Sequence, residues 1–442
     1  MKTKFFLFFL LLVAATQMKA NNMLVKNVTT TGDNAANKTI QVQFDMSWDN
    51  SWRDGINWDA AWIFMKYKDA NGNWQHLQLN TTGFANGTGT ANTIQVGSDK
   101  VGAFVYRSAA GTGTFASSTM QLQWNYGLSG LTSVTGLEIR VFAIEMVYVP
   151  QGDFTIAPTF SVYKANNNGS RGTIYAPANN SPVINSRLSP TLTYSDLTRT
   201  ATVRIKGDAG IDTDNNGTVD ITTYPIGYNA FYCYKYEMTE QQYADFLNTL
   251  TASQITTLGL AGTSITLTNG QYFTSTPNKA CGNSTAIRFL AYADWSGVRP
   301  MSLLEFNKAS YGPILPVAYE TVCCPEINSY PMSYYYNNLP SVGNGTDISE
   351  VGSYASASSS KFDSGATYYG MMDFTGNVME PCVHLKNYTF TNANGNGVLG
   401  STGATDVATW TTAMILYVDQ KRSNYSYSNL TYGGFRYVRS AE

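Results

Sequence analysis

The chain has 442 residues, enough for two or three domains, and only 13% of them are charged, against about 25% in an average soluble domain. Asn, Thr, Ser, Gly and Tyr replace the missing charge and give a neutral, hydrogen-bonding, aromatic surface that suits sugars or protein partners. The formal net charge of −2 provides no basic patch, so we expect no nucleic-acid partner. Aromatic residues make up 13% of the chain and can build large cores, which excludes a disordered protein.

The N-terminal residues 1–20 have the layout of a secretory signal peptide. Lys2 and Lys4 give a basic start, residues 5–15 form an uncharged apolar stretch too short to span a membrane, and Ala20 offers a small residue for cleavage. No later segment approaches about 18 consecutive apolar residues, so we expect no transmembrane segment in the mature chain. The sequence therefore predicts export to the periplasm, the cell surface or the extracellular space.

Residues 21–144 show strand and turn signals that are typical of an N-terminal all-β sandwich. Apolar and polar side chains alternate from Ile40 to Met46, which is the period of a half-buried strand. The turn sequence at residues 69–72 separates two apolar runs and indicates a hairpin. We therefore expect roughly seven or more strands in this segment.

An aromatic cluster lies inside this predicted sandwich and contains Trp48, Trp52 and Trp58 together with Arg53 and Asp59. Two interpretations are open. The cluster could form a sugar- or protein-binding surface, or it could pack the edge of the sandwich.

Residues 145–442 are predicted to form an α+β, loop-rich domain with an insertion at about 157–222. Beyond residue 311 the chain has little periodicity, which indicates long loops of the kind that carry binding function. Helices are predicted from the capping box of Thr239 and Gln242, over residues 285–295, and from the capping box of Ser302 and Glu305.

Five short blocks follow one another between Met146 and the C-terminus. They are Met146-Val147-Tyr148-Val149-Pro150-Gln151-Gly152-Asp153-Phe154, Tyr236-Glu237-Met238-Thr239, Trp295-Ser296-Gly297-Val298-Arg299-Pro300-Met301 with Glu305-Phe306, Tyr369-Gly370-Met371-Met372-Asp373-Phe374-Thr375-Gly376-Asn377-Val378-Met379-Glu380, and Gly433-Gly434-Phe435-Arg436. In this order they resemble the formylglycine-generating (sulfatase-modifying factor) family. The resemblance implies a compact α+β fold of the C-type-lectin-like kind with structural calcium. We interpret Glu237, Glu305 and Arg299 in these blocks as buried hydrogen-bond partners.

The cysteines depart from the pattern of this family. Its oxidising members hold copper through a cysteine pair shortly before the last block, because soft thiolates select Cu(I). The corresponding stretch, about residues 408–424, contains no cysteine. The chain has five cysteines, an odd number that leaves at least one thiol free or paired between molecules. They are Cys233, Cys281, Cys323, Cys324 and Cys382.

The sequence therefore favours a non-catalytic, exported protein that serves as a ligand- or partner-binding or structural component of the cell envelope, without copper. Its expected partner is a protein or a glycan. The alternative is a copper-dependent formylglycine-generating oxidase that acts on a sulfatase cysteine. That alternative needs copper ligands from elsewhere, for example Cys323, Cys324 or Cys382.

Two calcium sites are predicted. In the first, oxygen side chains occupy positions 1, 3, 5 and 9 of a loop with glycine at position 6, the spacing that wraps a calcium ion. Position 12 is Thr223 instead of a bidentate glutamate, so the alternatives are a dockerin- or thrombospondin-like calcium loop and a solvated acidic turn. The second site, implied by the resemblance, uses Asn377 and Glu380; the alternative is a hydrogen-bonding role for Glu380. The side chains of the first site are Asp212, Asp214, Asn216 and Asp220.

A stretch rich in Asn, Tyr and Ser lies directly before the last block. The ligand-binding variable proteins of diversity-generating retroelements, which share the lectin-like fold, concentrate such residues there. Tyr and Ser suit adaptable recognition, although a plain polar loop is the alternative. The candidate ligand-binding residues are Asn424, Tyr425, Tyr427, Asn429 and Tyr432.

Overall fold

The computed structural model shows a protein in which β-strands dominate over helices, as the sequence predicts. The finer C-type-lectin-like assignment stays a prediction. Within the described residues, every helix is too short or too polar to traverse a lipid bilayer. The structure describes residues 22–155, 224–313, 348–355, 364–374, 377–383, 389–418 and 433–442, and the backbone of the short strands between 161 and 205.

The first part of the chain forms two facing sheets. Strand β2 alternates buried and half-buried residues along most of its length, which confirms the predicted period of two. A four-stranded sheet has the order β1-β2-β8-β5. The strands are β1 Leu24–Asn34, β2 Thr39–Arg53, β3 Asp59–Lys68, β4 Trp74–His76, β5 Thr88–Gly89, β6 Asn92–Val96, β7 Gly102–Arg107, β8 Gly111–Asn125 and β9 Ile139–Val149.

The second part adds short strands and four described helices. The strands are β10 Phe154–Thr155, β11 Ser161–Tyr163, β12 Arg171–Tyr175, β13 Val183–Ile184, β14 Leu192–Thr193, β15 Arg204–Ile205, β16 Phe231–Tyr234, β17 Ile265–Thr268, β18 Gln271–Thr274, β19 Arg299–Ser302, β20 Glu380–Val383, β21 Ile415–Val418 and β22 Tyr437–Ser440. The helices are α1 Glu240–Leu247, α2 Ala252–Leu258, α3 Ala286–Ser296 and α4 Leu303–Tyr311, with a 3₁₀ turn at Thr412–Met414.

The helix starts follow from capping chemistry. Thr239 accepts a hydrogen bond from the backbone N–H of Gln242 at 3.3 Å, and the Gln242 side chain accepts one from the Thr239 N–H at 2.9 Å. Ser302 and Glu305 form the same reciprocal pair before α4, so both predicted capping boxes are confirmed. A third box, at Thr251, begins α2, which the sequence reading missed.

One ten-stranded sheet joins the two parts, in the order β21-β20-β19-β22-β16-β9-β3-β7-β6 with β4 on β3. Strand β9 pairs with β3 over residues 139–147, and its last residues, Met146 to Val149, also pair with β16. The boundary predicted between residues 144 and 145 therefore lies inside a single strand. Both parts of the chain contribute strands to this sheet.

Strand β3 separates two hydrophobic cores. Its residues Ala61, Ile63 and Met65 pack in the core between the two facing sheets. Trp62 and Phe64 point the other way, into the core formed with the helices. Because successive side chains of a strand alternate between faces, a strand that is buried on both sides reads as a continuous apolar run.

Candidate functional site

Charged residues in and next to the sequence blocks form buried hydrogen bonds. The Arg299 guanidinium donates to both carboxylate oxygens of Glu305, at 2.8 and 2.6 Å. Glu305 also accepts from the backbone N–H of Ser302 at 3.0 Å. These contacts confirm the interpretation of Arg299 and Glu305 as hydrogen-bond partners.

The predicted calcium residues Asn377 and Glu380 are both engaged by protein groups. The Asn377 amide donates to the carboxylate of Glu237 and accepts from the N–H of Ser349 at 2.8 Å. Glu237 also accepts from the N–H of Val378, as expected for a buried hydrogen-bond partner. The ion pair of Glu380 with Arg436 spans 3.3 Å. The described residues contain no group of three or more His, Cys, Asp or Glu side chains placed to hold a metal, and calcium here stays a prediction.

Burial of this carboxylate cluster has an electrostatic consequence. Asp373 accepts from the N–H of Gly352 at 2.6 Å and lies near Glu237 and Arg436. Desolvation raises the pKa of Asp373 to about 6 and raises the pKa of Glu237 well above its usual value. Asp373 and Glu237 therefore hold their protons to a higher pH than exposed carboxyl groups do.

Other predicted site residues lie outside the described part of the chain. These are the calcium-loop residues Asp212, Asp214, Asn216 and Asp220, the ligand-binding candidates Asn424, Tyr425, Tyr427, Asn429 and Tyr432, and the cysteines Cys323 and Cys324.

The described cysteines are free thiols in closed cores. Cys233, Cys281 and Cys382 are all buried, and none forms a disulfide. Desolvation raises the pKa of Cys233 to about 12 and raises the pKa values of Cys281 and Cys382 well above the usual range. Because the thiolate is the nucleophile and the metal ligand, these thiols are unsuited to either role near neutral pH.

The aromatic cluster of the first part is mostly occupied with packing. Asp59 is fully buried and accepts hydrogen bonds from the Trp48 indole at 2.9 Å and the Trp52 N–H at 3.0 Å. The Trp58 ring stacks on Tyr148 at 4.0 Å, and the Arg53 guanidinium lies 4.4 Å from its centre. These contacts cover the Trp58 ring and favour the packing interpretation over a sugar platform.

A buried cluster of ionisable side chains lies at strand β9. The Lys235 ammonium lies 2.5 Å from one oxygen of Glu145 and 3.7 Å from Asp59. The second oxygen of Glu145 is buried without a hydrogen-bond partner. Desolvation raises the pKa of Glu145 to about 8, although the charge of Lys235 opposes the shift.

A partly open cavity of about 270 Å³, the junction cavity, lies where strands β1, β3 and β9 meet helices α1 and α3. The side chains that line it are apolar or aromatic apart from Gln242 and Asp245 on α1, although the larger part of the surface exposed in the cavity is polar. Asp245 is half-buried, and its carboxylate accepts a hydrogen bond from the Gln241 amide at 2.9 Å. The lining residues are Met23, Leu24, Val25, Phe64, Val141, Phe142, Ala143, Ile144, Gln242, Asp245, Tyr292 and Trp295.

The sequence reading missed this cavity for a physical reason. Tyr243, Phe246 and Leu247 mark the buried face of α1, and Gln242 and Asp245 fall outside that stripe. Such positions normally face water. Here β1 and β9, which are distant in sequence, pack near the polar side of the helix. The local sequence of α1 contains no signal of this contact.

No known family matches the chain, and no match was found among curated proteins. The function is therefore inferred from the residues and their geometry.

Replacement of Glu145 by Gln tests the raised pKa of this buried carboxyl group on β9. Burial raises the pKa of Glu145 to about 8 in the folded protein, whereas the pKa of an unfolded glutamate is about 4.5. Between these values the unfolded state binds fewer protons, so this group lowers the free energy of unfolding as the pH rises. We expect the stability of Glu145→Gln relative to wild type to increase from pH 5 to pH 8, by at least ~1 kcal/mol, in urea unfolding.

The matched control is Glu138→Gln, because Glu138 forms only exposed ion pairs with Lys68 and Arg140. Exposed ion pairs contribute little to stability, so the free energy of unfolding of Glu138→Gln should stay within about 0.5 kcal/mol of the wild-type value at every pH. A stability difference for Glu145→Gln that is constant across this pH range contradicts the assignment.

Thiol labelling tests the burial of the cysteines. In native protein at pH 8, Cys233, Cys281 and Cys382 should resist iodoacetamide, because they are buried and protonated. All three should react in guanidinium chloride, as read by peptide mass mapping. An added cysteine at the exposed position Ser253, made as Ser253→Cys, serves as the control and should react in the native state. Native labelling of any core thiol at the rate of this control refutes the prediction.

Proposed function

We propose that this chain is an exported, non-catalytic binding protein that holds a small ligand, or an exposed group of a protein or glycan partner, at the cell envelope. The observation that carries the proposal is the junction cavity. Its lining residues come from both parts of the chain and include aromatic side chains together with Gln242 and Asp245. This combination is typical of ligand sites, in which apolar walls supply affinity and a few polar groups fix orientation.

The placement of the cavity supports binding by a preformed site. Phe64 and Trp295 are buried and belong to the core that joins the sheet to the helices. The Gln242 side chain is held by the capping box of α1. Side chains fixed in this way lose little further entropy when a ligand binds.

The state of the thiols argues against the oxidase alternative. A copper-dependent oxidase needs converging thiolates, and Cys233, Cys281 and Cys382 are buried with raised pKa values. The alternative would then depend on Cys323 and Cys324. Calcium as a structural ion is part of the proposal through the family resemblance, with Asn377, Glu380 and the loop at residues 212–220 as its predicted sites.

A binding screen with a variant that narrows the cavity tests this proposal. Leu24 lines the cavity and is 45% exposed, so Leu24→Trp should narrow its mouth without disturbing a core. Val28→Trp is the matched control, since Val28 lies on the same strand, is 38% exposed and does not line the cavity. We expect glycans or small molecules that bind wild type in an array to lose at least tenfold in affinity for Leu24→Trp and to keep it for Val28→Trp.

Element analysis of the purified mature protein separates the two functions. After incubation with calcium and copper salts, we expect bound calcium without copper. Stoichiometric copper held by cysteine, with oxidation of a sulfatase-motif peptide, would establish the oxidase and overturn the proposal. If a ligand binds wild type, Leu24→Trp and Val28→Trp with equal affinity, the cavity is not its binding site.

A further inference from the structure

We propose that the junction cavity binds a small organic ammonium ion, with Asp245 as its counter-ion. This inference rests on the proposed binding function and adds the chemical class of the ligand. A ligand of this class carries a protonated amine next to a ring or a short hydrocarbon body.

Asp245 supplies the charge that selects such a ligand. Its carboxylate lines the cavity and receives a hydrogen bond from Gln241. No described cation lies within 4.0 Å of it, so it forms no ion pair in the described part of the chain. Burial penalises the charged form of Asp245 and raises its pKa, and the hydrogen bond from Gln241 and the charge of Arg140 offset this desolvation cost only in part. A bound ammonium group would offset this cost through a charge-assisted hydrogen bond.

Aromatic rings form the wall that would receive the body of the ligand. Phe142 is half-buried, stacks on Phe64 with ring centres 5.1 Å apart, and meets Trp295 edge-on at 5.0 Å. Aromatic rings attract cations through their quadrupole, and the attraction strengthens where water is excluded. A carboxylate beside such rings favours an organic cation over a strongly hydrated inorganic one.

Strand β9 adds hydrogen-bond acceptors to the cavity. Val141 and Ala143 line it, although their side chains pack against the core between the two facing sheets. Their backbone therefore forms part of the wall. Strand β16 pairs with β9 only from Met146 onwards. The residues of β9 before Met146 therefore have no pairing with β16 on the edge opposite β3. Carbonyl groups on a free strand edge accept hydrogen bonds, and an ammonium group has up to three donors.

The charge of Arg140 lowers the pKa of Asp245 from a distance, but the direct contacts of Arg140 and of Lys66 are with other groups. Arg140 pairs with Glu138 at 3.1 Å, and its guanidinium stacks on Trp74 at 4.3 Å. The Lys66 amine donates to the carbonyls of Trp295 and Gly397, and burial lowers its pKa well below the usual value. Neither side chain neutralises Asp245 through a direct contact.

The size of the cavity limits the ligand to about one ring. Its volume is about 270 Å³. An apolar cavity of about 150 Å³ already holds benzene, so benzylamine is a suitable probe. Benzyl alcohol is its neutral counterpart, with nearly the same shape and with one hydrogen-bond donor.

The test is calorimetric titration of the full mature chain with benzylamine and benzyl alcohol at pH 7 and low salt. Wild type should bind benzylamine at least tenfold more tightly than benzyl alcohol. In Asp245→Asn this preference should fall to less than threefold, because the carboxamide keeps the shape and removes the charge. Glu350→Gln removes an exposed carboxylate that does not line the cavity and should keep the full preference. Circular dichroism and thermal unfolding check that both variants are folded.

Each outcome decides the inference. Equal affinity of wild type for the two probes, or a preference that survives in Asp245→Asn, overturns the role of Asp245 as counter-ion. Absence of binding by either probe at millimolar concentration overturns the ligand class. In these cases the proposed binding function still stands if the array ligands discriminate Leu24→Trp from Val28→Trp. If they do not, and benzylamine is not bound, both proposals fail.

Discussion

The structure depends on strand β3 being buried on both faces. Trp62 connects β3 to the helices. Its ring packs in the core that the sheet forms with them, and its indole N–H donates a hydrogen bond to the carbonyl of Ser296 at 2.8 Å. One residue further along, Ile63 packs in the core between the two facing sheets. Neither core can form completely unless β3 is in place. Strand β9 extends this constraint, because it pairs with β3 and then with β16.

Buried charges at the same junction make its arrangement specific. Lys235 follows β16 and reaches Glu145 on β9 and Asp59 on β3. Arg439 on the last strand, β22, donates to Asp99 at 2.7 and 2.6 Å and lies 3.9 Å from the centre of the Trp62 ring. The Lys235 ammonium and the Arg439 guanidinium are buried, and a buried cation that loses its carboxyl partner is far more costly than the loss of a surface ion pair. Any other docking of the two parts would incur that cost.

The local features of the fold could be predicted from the sequence. The capping boxes at Thr239 and Ser302 depend on residues three positions apart, and the strand pattern around Val42 depends on a period of two. The partner of β9 could not be predicted, because Glu145 and Lys235 are 90 residues apart and nothing local marks their contact. The cavity was missed for the same reason, since Asp245 lies on what reads as the polar side of α1. The lectin-like resemblance, the calcium sites and export remain predictions.

The central claim is that both parts of the chain form one cooperative unit, with the ligand cavity at their junction. Native-state hydrogen exchange as a function of denaturant tests it most directly. The account predicts that the amides of β3, of β16 and of the paired end of β9 exchange with the same free energy of opening, because they belong to one sheet between two interdependent cores. If β16 and β22 exchange at a markedly lower free energy while β3 stays protected, the two parts unfold independently and the claim is wrong.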